Sequence, residues 1–205
     1  METQVLPSTD PQALRLALEA LQGGGLVAFP TDTVYGLGAL VQIPESIQAL
    51  YTVKGREVAK AIPLLLGDPE EMRRVALAVS PMARRLAERF WPGPLTLVLP
   101  KHPSLPAELS SQATIGVRMP DHPVALALLR VTGPLAVTSA NRSGEASAVT
   151  AQEVVEQLGG RIGLVLDGGQ TPGGVSSTVV DCSGDTPVIL RQGPISLEEL
   201  QQALS

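Results

Sequence analysis

The apolar residues of this chain come in runs about one strand long, such as Leu95–Leu99 with its threonine, each cut off by glycine, proline or a polar loop. Between these runs lie segments of helical spacing that open on a capping residue. This alternation constrains the fold most, because a strand and an amphipathic helix must each bury a face against another element. Leu26–Phe29, Leu95–Leu99, Thr114–Met119, Leu135–Thr138, Leu164–Asp167, Thr178–Cys182 and Val188–Arg191 read as strands. Asp10-Pro11, Asp68-Pro69 and Ser80-Pro81 each join a capping side chain to a proline, whose missing N–H costs nothing at a helix start. The first of these helices ends at Gly23-Gly24-Gly25. Ile47, Leu50, Tyr51 and Lys54 share one side of a further short helix. Thr150 with Glu153, and Ser196 with Glu199, have capping-box spacing. The pattern predicts one α/β domain of the α+β type over residues 1–205, with helices covering a mixed sheet. It is not a strict βαβ repeat, since only Ser183-Gly184-Asp185 separates the last two strands.

Composition narrows the function classes. With 205 residues, 44% apolar and 17% charged, the chain can bury a core and is too apolar for disorder. No apolar run is long enough to span a bilayer, and the N-terminus Met1-Glu2-Thr3-Gln4 is not that of a signal peptide. The single Cys182 excludes a disulfide framework, and the two histidines lack zinc spacing. A soluble, cytoplasmic protein without a metal site is expected. A net charge of −5 speaks against coating nucleic acid, and 2% aromatics against stacking platforms for bases.

Polar, glycine-rich loops follow several strands, where layered α/β folds hold ligands. Pro30-Thr-Asp-Thr-Val-Tyr-Gly-Leu-Gly38 offers hydroxyls and a carboxylate beside two glycines, an ordinary turn being the simpler alternative. Lys54-Gly-Arg56 through Lys60 holds two of the three lysines and suits a polyphosphate or carboxylate. Strand alternation sets Thr114, Gly116 and Arg118 on one face, a possible floor for an anion. Thr138-Ser-Ala-Asn141-Arg-Ser-Gly144, continuing to Ser147, contains the chain's one asparagine among many donors. Asp167-Gly-Gly169, Gly173–Thr178 and Arg191-Gln-Gly-Pro194 complete the set. No nucleophile–base pair can be assembled. His102 and His122 read as surface turns and Cys182 as a buried thiol, and no phosphate-binding P-loop or G-x-G-x-x-G motif is present. Such a site would work by positioning and charge, as in transfer at phosphorus.

Eight motifs in order carry a resemblance: the Pro30–Gly38 segment, Lys54-Gly-Arg56, Trp91-Pro-Gly-Pro-Leu-Thr96, Gly116-Val-Arg118-Met-Pro120, Ser139-Ala-Asn141, Asp167-Gly-Gly169, Ser177-Thr-Val179 and Arg191-Gln-Gly-Pro194. From about residue 10 to 200 the chain resembles the YrdC-like family of L-threonylcarbamoyladenylate synthases, in its single-domain form. The resemblance implies a three-layer fold around a twisted mixed sheet. It also implies the conversion of L-threonine, bicarbonate (or CO2) and ATP into threonylcarbamoyl-AMP and diphosphate. That product serves the modification of adenosine 37 in tRNAs reading codons that start with A, through a downstream tRNA threonylcarbamoyl-transferase complex, with at most weak tRNA binding here. It assigns Thr33, Arg118, Ser177 and the main chain of Val137 to L-threonine. Arg56, Lys60, Thr114, Ser139, Asn141, Ser147 and Arg191 go to ATP, Lys54 and Arg56 to catalysis, and Mg2+ rides on the phosphates. Glu57, Ala59, Leu65 and Gln192 depart from the family pattern. The rival readings are an RNA-binding module of the same fold, a carbamoyl-adenylate-forming domain of hydrogenase maturation, and a nucleotide-binding regulator.

Overall fold

The computed structural model describes residues 2–57, 60–172 and 174–205; the departure at Ala59 lies outside them. One sheet gathers ten strands in the order β1 (Gln4–Pro7), β8 (Leu164–Asp167), β2 (Val27–Phe29), β3 (Gly36–Leu40), β7 (Leu135–Ser139), β4 (Leu64–Leu65), β6 (Thr114–Arg118), β5 (Leu95–Pro100), β9 (Thr178–Asp181) and β10 (Val188–Arg191). Parallel pairs (β1 with β8, β2 with β8, β4 with β6, β5 with β9) occur beside antiparallel ones, so the sheet is mixed, as expected. The final two strands form the anticipated hairpin, with a register shift at Ile189/Arg191.

Helices pack on both faces. Ala13, Ala17 and Leu21 of α1 (Ala13–Gln22), with Ala125, Leu128 and Leu129 of α5 (Pro123–Thr132), bury Val27, Phe29, Leu135, Val137, Leu164 and Leu166 on one face. The larger core lies on the other face. There α2 (Pro44–Lys54), α4 (Pro81–Phe90), α6 (Ala151–Leu158) and α7 (Leu197–Leu204) pack over Leu37, Leu64, Leu95, Leu97, Ile115, Val117 and Val180. The three layers follow from strand alternation: each central strand sends apolar side chains both ways.

The capping signals function as read. Ser80 accepts the N–H of Ala83, Thr150 that of Glu153, and Ser196 with Glu199 closes a full capping box. Asp68 caps a 3-10 turn, Pro69–Glu71, that leads into the short α3 (Met72–Val75). Asp10 does not start α1; it accepts the Gln12 N–H in a turn, and the helix begins at Ala13. Three strands and one helix are absent from the sequence reading. β1 and β4 are too short to show a period, and α5 is apolar on nearly every side. β3 lies in what reads as a flexible loop, yet its glycines are a packing requirement. A Cβ on Gly36 would stand 2.8 Å from Val137 Cγ1, and one on Gly38 2.9 Å from Phe29 Cε1. Glycine carries no apolar signal, so a strand built on it is invisible to pattern.

Candidate active site

On the face covered by α1 and α5, the helices stop short. Leu95, Leu97, Ile115, Val117 and Val180 turn toward the large core, which leaves Thr96, Val98, Gly116, Arg118 and Val179 on the opposite face. A cavity of about 310 Å3 opens there, bounded also by Thr33, Val137, Ser139, Ser177, Arg56 and Arg191. Gly116 sits in its floor, where an added Cβ would come within 3.2 Å of both Pro63 and Thr96.

Arg118, only 6% exposed, is held from three sides. Its Nε donates to the carbonyl of Gly93 (3.0 Å), Nη1 to Thr33 Oγ1 (3.2 Å) and Nη2 to Asp32 Oδ1. A guanidinium has five N–H groups, so two remain for a ligand. The Thr31 hydroxyl donates to the Val34 carbonyl (2.6 Å) and lies 3.0 Å from Thr33 Oγ1. Thr33 therefore donates to Thr31 and accepts from Arg118, which fixes its hydroxyl.

Arg191 reaches across from β10. Its Nε and Nη2 donate to the Ser177 carbonyl (3.2 and 2.9 Å), and Nη2 also to Ser177 Oγ (3.1 Å), which pairs with Thr96 Oγ1 at 2.8 Å. Gly193 lets the chain pass there, since a Cβ would stand 2.3 Å from the Thr178 nitrogen. Arg56 follows Gly55, whose left-handed backbone (φ 61°) ends α2, and donates to the Lys60 and Ala61 carbonyls. Burial pushes all three guanidinium pKa values down. Secondary repulsion links them, Arg191 acting on Arg118 and Arg56 on Arg191, while Asp32 pulls Arg118 back up. Like charges gathered in a half-closed cavity favour an anion.

Seven of the expected site residues thus converge: Thr33, Arg56, Arg118, Val137, Ser139, Ser177 and Arg191. Five do not line the cavity. Lys60 is exposed and pairs with Glu57 (3.5 Å), Thr114 is the first residue of β6, and Ser147 is half-exposed in the loop between β7 and α6. Lys54 and Asn141, read as pocket groups, do not line the cavity; they bond to main chain beside Ser139, which does. The Lys54 amine donates to the Ser139 and Asn141 carbonyls, and Asn141 Nδ2 to the Arg142 and Glu145 carbonyls (2.8 Å each). Two of the three Lys54 N–H groups are spent on these carbonyls, and the third has only Asn141 Oδ1, 3.4 Å away. His122 also departs from its reading as a surface turn, because its Nδ1 accepts the Val124 N–H (3.2 Å) at the start of α5. Thr31, one of the hydroxyls of the Pro30–Gly38 segment, lines the cavity, and so does Thr96, to which the sequence reading gives no role. Alternation in Leu95–Leu99 sets Thr96 opposite the leucines and was the available signal.

A family model described as "Telomere recombination", covering Sua5, YciO and YrdC proteins, matches residues 19–193. The chain belongs to the Sua5/YciO/YrdC family. It is 40% identical to the threonylcarbamoyl-AMP synthase of Bacillus subtilis over 98% of its own length, and 39% identical to the putative synthase of Mycobacterium tuberculosis over 98%. It superposes on the crystal structure of Pyrococcus abyssi Sua5 complexed with L-threonine with a TM-score of 0.90 at 40% identity, over 93% of this chain. The chain spans 59% of the Bacillus relative and 57% of the Pyrococcus structure, but 95% of the Mycobacterium relative. This likeness establishes the YrdC-like fold expected from the motifs.

Proposed function

We propose that residues 1–205 act as one catalytic domain that joins L-threonine, bicarbonate (or CO2) and ATP into threonylcarbamoyl-AMP, a nucleotidyl transfer that releases diphosphate. The observation that carries this reading is the row Arg118–Arg191–Arg56 in one cavity floored by hydroxyls, with no histidine or cysteine among its described lining residues. Such a site can hold a carboxylate and a triphosphate together, and among its described lining residues no histidine or carboxylate stands ready to activate a hydroxyl as nucleophile. The nucleophile must then come from the substrates. The threonine amine and CO2 give a carbamate, whose oxygen attacks the α-phosphorus. A P–O bond forms there as the bond to the bridging oxygen breaks, and diphosphate leaves with that electron pair.

In this reading the free donors of Arg118, with Thr33, Ser177 and the main chain of Val137, take L-threonine. Arg56, Arg191 and Ser139 take the triphosphate, and Arg56 stabilises charge as it develops. Lys60, Thr114 and Ser147 do not line the cavity, and Lys54 joins Ser139 to Asn141 through their carbonyls. Among the described residues no group of three or more acidic, histidine or cysteine side chains could hold a metal, so Mg2+ would arrive on the phosphates. The names and L-threonine complex of the relatives support the synthase reading and a role in tRNA modification; a cytoplasmic location and passage of the product to a transferase complex belong to the same proposal. No helix among the described residues is long and apolar enough to cross a membrane.

The test is diphosphate release from ATP, measured with each substrate omitted in turn. Release is expected only with L-threonine and bicarbonate together. Full-rate release from ATP alone would overturn the proposal.

A further inference from the structure

The cavity holds three arginines but pairs them unequally. Asp32 forms the described ion pair of the site, with Arg118, and both side chains are largely buried, at 8% and 13% exposure. Asp32 Oδ1 also accepts the Asp121 N–H (3.1 Å), whereas its Oδ2 is buried with no hydrogen-bond partner among the described residues. Among the described residues, Arg56 and Arg191 donate only to neutral oxygens: the carbonyls of Lys60, Ala61 and Ser177, and the Ser177 hydroxyl. One end of the row is therefore close to electrically neutral, and the other carries two uncompensated charges.

We propose that Asp32 sorts the two anionic substrates, reserving Arg118 for a carboxylate by cancelling its charge and leaving Arg56 and Arg191 to bind phosphate. This rests on the functional reading above and adds how the pocket keeps its two substrates apart. A polyphosphate is attracted chiefly by net positive charge, which Asp32 removes at the Arg118 end. A carboxylate gains instead from two parallel N–H bonds on a guanidinium fork held in one plane. Gly93, Thr33 and Asp32 hold that plane. Asp32 does not line the cavity, so it is a positioning residue that acts through Arg118.

Calorimetric titration of the whole chain with L-threonine and, separately, with inorganic tripolyphosphate tests this without relying on turnover. In the wild type the two ligands are expected to bind without displacing each other. In Asp32→Asn, threonine affinity should fall roughly tenfold or more, the scale of one charge-assisted hydrogen bond. Tripolyphosphate should bind at least as tightly as to the wild type, and should now compete with threonine. Equal losses for both ligands, or no loss for either, would overturn the proposal. If Asp32→Asn does not fold, Arg118→Gln and Arg191→Gln decide. Tripolyphosphate affinity should stay within about threefold for the first and drop about tenfold or more for the second; equal drops would overturn the sorting. Wild-type protein that binds no threonine would instead bring down the functional reading, and this proposal with it.

Discussion

Arg56 leaves α2 at a left-handed glycine, and its described hydrogen bonds go to two main-chain carbonyls, so its guanidinium keeps donors for a ligand and adds little to the fold. Losing one positioned charge-stabilising group costs about 10²–10³ in turnover. Arg56→Ala should show a loss of that order in diphosphate release. Arg56→Lys should show a smaller one, because an ammonium cannot hold two oxygens as a fork does. Both should melt within a few degrees of the wild type. A collapsed melting temperature would make Arg56 structural. His122 is the converse case. Burial lowers its pKa from the usual 6.5 against the upward pull of Asp32 and Asp121, and its neutral Nδ1 caps α5. The folded state binds that proton more weakly than the unfolded state, so its stabilising contribution is present above 6.5 and is lost as pH falls toward the folded pKa. Between about pH 7.5 and 5 the wild type should lose more stability than His122→Asn, which keeps a cap that does not titrate. Parallel curves would show that His122 keeps one charge state throughout.

At the scale of elements, the loop after β7 shows how one buried cation can join a helix to a loop beside the cavity. Lys54 ends α2, is 4% exposed, and is pushed down to about 8 by burial and, less, by Arg56. Its amine joins the carbonyls of Ser139 and Asn141, and its own carbonyl accepts the Ser143 N–H (2.8 Å). Helix and loop are thereby clamped, and Ser139 faces the cavity. In Lys54→Met each abandoned buried carbonyl costs about 1–3 kcal/mol, so melting temperature and turnover should fall together. Turnover lost with the melting temperature intact would restore Lys54 to the chemistry. Elements with an apolar period or a cap, such as α4, α6 and α7, were legible in the sequence because local spacing encodes them. β3 was not, since Gly36 and Gly38 announce flexibility when read singly and close packing only beside Phe29 and Val137.

Across the whole molecule, the cavity is lined from Thr31 to Arg191 and draws on β3, β7, β6, β5, β9 and β10, so a ligand there ties together both ends of the chain. A ligand at about 100 times its dissociation constant stabilises the folded state by about 2.7 kcal/mol, and each kcal/mol moves the melting point of a domain this size by about 2–4 °C. Saturating ATP should therefore raise it measurably, with a further rise on adding L-threonine. No shift with either ligand would show that the cavity is not their site. The sequence alone determined the layered α/β class, the caps, and the groups of the anion site, because residue type, two-residue alternation and motif order are local properties. Which of those groups work together was decided only by the tertiary structure. Arg118 meets Asp32 across 86 positions, and Lys54 meets Asn141 across 87. Whether a buried charge serves a ligand or the fold depends on the partner that the sheet order brings beside it, and no local pattern carries that information.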